Sequence, residues 1–183
     1  MPANADREII DRFKDPEQRE SAFNLLVSKY KERLYWHCRR IMINHEDADD
    51  AVQNTLVKVW RNLDNFRAES GLYTWLFRIA TNESLSLIKE RKKHFSGSEG
   101  HEYEAWLTDN LITDPYFDGD EAQLKLQKAI LLLPEKQRIV FNLKYYEDMK
   151  YLEMADVLKT SVGALKASYH LAVKKLEKYI LNE

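Results

Sequence analysis

Apolar positions recur at three- and four-residue steps through most of the chain, and alternating β-branched runs are few, a pattern that predicts helices throughout. The most informative stretch runs from Arg67 to Lys93. Leu72, Trp75, Leu76, Ile79, Ala80 and Leu87 set an apolar stripe along one helix face. The other face mixes Tyr73, Phe77, Arg78, Asn82 and Ser86, and the helix ends in Lys89, Arg91, Lys92 and Lys93. Two readings fit this mixture. In the first, the helix meets nucleic acid: rings and guanidinium planes stack on unpaired bases, amides pair with base edges, and a cationic end meets phosphate. In the second, it is an amphipathic helix whose last turn is basic because the helix dipole favours cations there.

Ahead of this stretch, residues 1 to 15 are mixed in charge and weakly apolar, which predicts a frayed or loosely docked N-terminus. Asp15-Pro16 offers a helix start, with a carboxylate cap and proline at the first helical position. Phe23, Leu26, Tyr30, Leu34, Cys38 and Ile41 then mark a long helix that breaks at Asn44-His45. The next helix is the most regular, with Ala48, Ala51, Val52, Thr55, Leu56, Val59, Trp60 and Leu63 down one side. Its acidic start, Glu46 to Asp50, complements the positive end of the helix dipole. Asp50, Gln53, Asn54, Val57 and Arg61 lie on the opposite side, where Val57 is either a stray apolar residue or part of a docking surface.

Residues 94 to 120 contain no lysine or arginine and alternate acids with aromatics, which predicts a linker without helix periodicity. It reads either as a solvated connection or as an acidic tether lying in a basic channel of a partner. Periodicity resumes at Glu121 with Leu124, Leu126, Ile130 and Leu132, and stops at Leu133-Pro134. A helix from about Glu135 to Tyr146 carries Ile139, Val140, Leu143 and Tyr146 inward. Two helices then flank a brief gap at Lys159-Thr160, the helix-turn-helix pattern, with Ala155 at the crossing and Ser161 as the cap of the second helix. Lys166, Lys174, Lys175 and Lys178 against the single acid Glu177 suit that helix to the major groove, although a plain helical hairpin has the same periodicity. The expected fold is all-α: two small helical domains, 1–93 and 121–183, joined by an acidic linker, 94–120.

Composition narrows the function. A chain of 183 residues, 44% apolar, can build packed cores, and its formal charge of −2 means that any basic surface is local. The single cysteine, Cys38, reads as a small buried apolar residue. With no long apolar run and no charged-then-apolar leader, neither a membrane span nor a signal peptide is expected, and a cytoplasmic location is. His45, Glu46, Asp47, Asp49 and Asp50 crowd together, but successive helical residues point about 100° apart and do not converge on a metal. There is no phosphate-cradling glycine loop and no serine or cysteine framed by a histidine, so neither catalytic residues nor a cofactor are expected.

Together these residues resemble the extracytoplasmic-function sigma factors, the smallest class of the bacterial primary-sigma family, over nearly the whole chain. Asp47 to Arg61 looks like the family's second conserved region, and Phe66 to Asn82 like its promoter-melting region. Leu132 to Phe141 and the helix-turn-helix match the fourth region. The resemblance implies a sigma factor that directs core RNA polymerase to promoters and assists their opening. Its partners would be core polymerase, promoter DNA and an anti-sigma factor, which could itself sit in a membrane. Asp50, Gln53, Asn54, Val57 and Arg61 would dock on the clamp helices of the polymerase's largest subunit.

The loop Asp64 to Gly71, with Arg78 and Asn82, resembles the element that accepts a flipped base of the minus-ten element. Contacts there would fall to Phe66, Arg67, Ser70, Gly71, Tyr73, Arg78, Asn82, Ser86 and Lys89. Minus-thirty-five contacts would fall to Ser161, Ala164, Lys166, Ala167, Ser168, His170 and Lys174. The linker resembles one that runs where nascent RNA later passes, with Glu99, Glu102, Glu104, Asp109 and Asp114 imitating its charge. The chain departs from the family at Asn54, often Glu, at Ala164, often Thr, and at Ser168 and Leu171, often Arg, so promoter sequence does not carry over. The alternative is a free-standing helix-turn-helix regulator whose N-terminal helices form an oligomer.

Overall fold

A computed structural model of the chain describes residues 2–95, 101–113 and 120–181. The described residues form α1 (Pro2–Phe13), α2 (Arg19–Met42), α3 (His45–Asn62), a short 3-10 turn (Leu63–Asn65), α4 (Leu72–His94), α5 (His101–Ile112), α6 (Glu121–Leu131), α7 (Glu135–Tyr145), α8 (Tyr151–Leu158) and α9 (Val162–Leu181). The all-α expectation holds among them, including the helix-turn-helix of α8 and α9.

Helices α2, α3 and α4 make the first bundle. Leu26, Leu34 and Cys38 of α2, Ala48, Ala51 and Val59 of α3, and Leu76, Phe77 and Ala80 of α4 are buried in its core. Burial pushes the Cys38 thiol up to about 12, so it stays protonated and packs as an apolar group. The chain breaks at Asn44 as expected, and the Asn44 side chain accepts the Asp47 N–H at 3.0 Å, capping α3.

Three expectations are corrected. The N-terminus is docked: α1 buries Ile9 and Phe13, and its Asp6 carboxylate accepts the Tyr30 hydroxyl at 2.8 Å. Asp15 caps a turn, accepting the Glu17 N–H at 3.0 Å, and α2 begins four residues later at Arg19. The chain must first turn so that Phe13 meets Phe23 and Trp60, with ring centroids 6.3 and 5.4 Å away. Finally, the stretch expected to lack periodicity contains α5, which buries Tyr103, Leu107 and Leu111 at successive four-residue steps.

The second bundle is α6 to α9, with Ala129, Ile130, Leu133, Phe141, Ala172 and Leu176 as its inner cluster. Leu132, expected inside, is exposed, and Leu133 takes its place because α6 ends at Leu131 and the turn rotates the next side chain inward. Asp120 caps α6, accepting the Gln123 N–H at 2.8 Å. The bundles are not separate in space: Met154 and Val157 of α8, and Ile139, Val140 and Leu143 of α7, join the same apolar cluster as Leu72, Leu76 and Phe77.

Candidate nucleic-acid interface

Helix α4 is held from two sides, and this fixes what it shows to solvent. Leu72, Leu76, Phe77, Ala80, Thr81, Ser84 and Ile88 are buried. Phe77, assigned from sequence to the mixed outer face, is therefore core, and Leu87 is only half-buried. Trp75, Arg78, Asn82, Ser86 and Lys89 follow one another at three- and four-residue steps down the other side, from half-buried to exposed. Beside Trp75 the half-buried ring of Phe66 stands 5.3 Å away, tilted by 58°. The two rings and Asn82 thus share a surface with the loop 66–71.

That loop is extended at Phe66 and at Gly71, and passes through the left-handed region at Ala68 with φ 55°. Gly71 sits ahead of α4 at φ −61°, and a Cβ there would meet open space, so its absence leaves the surface low beside the rings. Arg67 is exposed and Ser70 half-buried. Of the predicted minus-ten set, Arg67, Gly71, Asn82, Ser86 and Lys89 are open to solvent, whereas Tyr73 and Arg78 are engaged. Arg78 Nη1 lies 3.0 Å from the Asp156 carboxylate of α8, and the Tyr73 hydroxyl donates to Glu147 at 3.3 Å.

The basic end of α4 is also occupied. Arg91 donates to both Asp47 oxygens and lies over the Trp106 ring, while Lys92 lies over Tyr103 and pairs with Glu135 at 2.6 Å. Asp47 is 6% exposed and belongs to this clasp. The acidic cluster is divided in other directions too: His45 Nδ1 meets the Tyr35 hydroxyl at 2.8 Å, and Asp50 faces solvent.

The polar side of α3 faces solvent. Asp50, Gln53, Asn54, Val57 and Arg61 are all exposed, with Val57 at 47% in the middle of them. On α9, Ser161, Ala164, Lys166, Ala167, His170 and Lys174 are exposed and Ser168 half-buried, one continuous face opposite the buried Leu165, Ala172 and Leu176. The Ser161 hydroxyl accepts the Ala164 N–H at 3.2 Å and caps this helix as expected. Lys159, in the left-handed region at φ 50°, makes the sharp turn before it.

Two family models match, sigma-70 region 2 over residues 26–94 and sigma-70 region 4 over residues 123–176. The chain is 30% identical over 168 residues to the ECF RNA polymerase sigma factor SigW of Bacillus subtilis, covering 88% of this chain and 90% of that one. The chain belongs to the ECF sigma factors of RNA polymerase. The wider grouping expected from sequence, the primary-sigma family, is replaced by sigma-70, whose regions supply both models. A second relative of this sigma factor, the RNA polymerase sigma-H factor of Pseudomonas aeruginosa, is 28% identical over 180 residues, covering 94% and 92% of the two chains. Both regions in one chain do not favour a free-standing helix-turn-helix regulator.

Two solved structures share the fold. CnrH in complex with the cytosolic domain of CnrY has a TM-score of 0.70 at 27% identity, covering 98% of this chain and 99% of that one. RpoE in complex with the anti-sigma factor NepR, from Bartonella quintana, has a TM-score of 0.70 at 24% identity, covering 86% and 96%.

Sequence reasoning missed the residues that join the two bundles of this sigma factor. Glu147 takes a charge-assisted hydrogen bond from Arg40 at 2.9 Å and another from Arg33 at 3.3 Å, while Arg33 also lies over the Tyr73 ring. No local signal marks these partners, which stand more than a hundred residues apart. No helix among the described residues is long and apolar enough to cross a membrane.

Proposed function

We propose that this sigma factor is a promoter-specificity subunit without catalytic chemistry of its own, which binds core polymerase, recognises two promoter elements and helps open the duplex. The observation that carries the reading is the surface formed by Phe66, Trp75, Asn82 and the low loop ending at Gly71. Extruding a base costs a few kcal/mol, which packing on the base face and hydrogen bonds to its edge must return. Phe66 and Trp75 offer apolar ring surface, and the Asn82 amide offers both a donor and an acceptor. Arg67, Ser86 and Lys89 lie where the flanking backbone would run, with Ser70, Tyr73 and Arg78 added once their carboxylate partners move away.

In this reading the exposed side of α3, Asp50 to Arg61, docks on core polymerase, and α9 enters the major groove of the minus-thirty-five element through Lys166, Ala167, His170 and Lys174. The functional units are 1–93 and 121–183, with 94–120 as a linker whose helix α5 must leave its seat if the linker is to follow an RNA channel. Glu99 and Asp114 lie outside the described residues, as does the side chain of Glu104. The partner chains of the two solved neighbours, the anti-sigma factor NepR and the cytosolic domain of CnrY, support an anti-sigma partner here. A cytoplasmic location fits a polymerase subunit. Run-off transcription with core enzyme on fragmented genomic DNA tests the reading: discrete start sites that require this chain support it, and transcripts identical with and without it oppose it.

A further inference from the structure

Within the exposed face of α9, Ala164, Ala167 and Leu171 follow one another at steps of three and four residues and form an uncharged strip. Lys166 and His170 lie beside this strip, and Lys174 follows one turn beyond Leu171. Lys166 leans away from the strip, its ammonium 5.8 Å from the centroid of the Tyr151 ring on α8, the helix that crosses the DNA backbone in this motif. Both alanines are short, so the strip stands low and lets the helix axis come close to whatever it meets. Leu171 alone projects from it, with 49% of its surface exposed.

A single exposed leucine is ordinary on a helix that faces only water. On a face that packs into a groove it is a selective element, because every group it covers loses water. The major-groove edges of the bases are almost all polar: guanine shows N7 and O6, adenine N7 and its amine, cytosine its amine and thymine O4. The C5 methyl group of thymine is the apolar exception. Leucine has neither donor nor acceptor, so it would strip water from a guanine, adenine or cytosine edge and return no hydrogen bond. Against the thymine methyl it takes apolar surface out of water on both sides of the contact.

We propose that Leu171 is a specificity-determining residue of the minus-thirty-five contact, which selects a thymine by packing on its C5 methyl group. The proposal rests on the reading that α9 lies in the major groove. It divides the work of that face: the lysines meet phosphate and set the register, and Leu171 reads one base through its shape.

The test uses holoenzyme assembled from core polymerase and the full chain, either parent or Leu171→Ala. Each selects from a duplex library built on a promoter that the parent uses, with the minus-thirty-five element randomised. The parent should enrich a thymine at one position, on either strand, and Leu171→Ala should lose the preference at that position while keeping the others. Deoxyuridine put in place of that thymine removes the methyl group alone. It should weaken binding of the parent by about fourfold, the worth of one buried methyl group, and leave Leu171→Ala holoenzyme unaffected. The parent arm of this measurement alters only the DNA, so it stands even if the variant folds poorly.

A parent that prefers bases upstream but no thymine, or a deoxyuridine substitution without effect on the parent, overturns the role of Leu171 and leaves α9 in the groove. An equal deoxyuridine penalty in parent and variant does the same, since the methyl group then acts without Leu171. A parent with no base preference anywhere in the randomised element takes α9 out of the groove, and the proposal falls with the reading beneath it.

Discussion

Inside the first bundle, His37 Nε2 and the Thr81 hydroxyl meet at 2.8 Å, one residue before Asn82. The Thr81 proton is committed to the Phe77 carbonyl at 2.7 Å, so the hydrogen in the contact comes from Nε2 of a neutral imidazole. This bond pins the rotation of α4 against α2. Thr81 is thereby turned inward and Asn82 outward, which ties a buried polar pair to the surface on which single-strand capture depends.

Burial, aided by Arg40, pushes His37 down to about 3 from an ordinary 6.5. Below pH 6.5 the unfolded chain therefore binds a proton that the folded chain refuses, so stability falls as pH drops toward 3. The His37 share of the loss between pH 7 and pH 5 is about 2 kcal/mol. Urea unfolding at both pH values, compared with His37→Gln, checks this. The variant should lose less stability than the parent over the same interval, and an identical loss would show that His37 does not titrate as described.

The exposed side of α3 yields a docking prediction. Asp50→Ala/Gln53→Ala should weaken binding to core polymerase several-fold while changing folding stability by less than about 0.5 kcal/mol per site, as is usual at exposed positions. Co-elution with core enzyme and thermal unfolding measure the two quantities. Unchanged binding would remove this face from the docking surface.

Much of this arrangement is legible in the sequence because its helices carry broad apolar stripes. Helices α2 and α3, the break at Asn44 and the Ser161 cap follow from local spacing alone. Helices α1 and α5 were missed because each buries only about one residue per turn, Ile9 and Phe13 in one, Tyr103, Leu107 and Leu111 in the other, and the rest of each helix mixes charges with apolar groups. Such helices form by docking, and the surface they dock on belongs to distant parts of the chain. Phe77 was misplaced because α4 is covered on two sides. Its buried sector is wider than a single stripe, and Thr81 and Ser84 within it look polar in sequence. The pairing of Tyr73 and Arg78 with Glu147 and Asp156 spans 74 and 78 residues and has no periodic signature at all.

On α9, Lys166 stands exposed near the start of the helix. Lys166→Ala should weaken duplex promoter binding and, if the ammonium meets only phosphate, reduce the salt slope by about one unit while leaving sequence preference intact. Binding isotherms across a range of salt concentrations read both effects. An unchanged affinity and slope would mean that this helix does not lie in the groove.

The account stands or falls on strand opening at Asn82. Permanganate reactivity of unpaired thymines, measured with core enzyme on a promoter that the parent uses, reports opening directly. Asn82→Ala should lower reactivity on the duplex by about tenfold, the cost of a lost hydrogen bond to the base edge. It should have much less effect on the same promoter already unpaired around the minus-ten element with its natural base kept. A base substituted in that unpaired template separates opening from simple recognition, since the parent alone should discriminate against it. An Asn82→Ala protein that opens the duplex as well as the parent would contradict the account and leave Asn82 an ordinary surface residue.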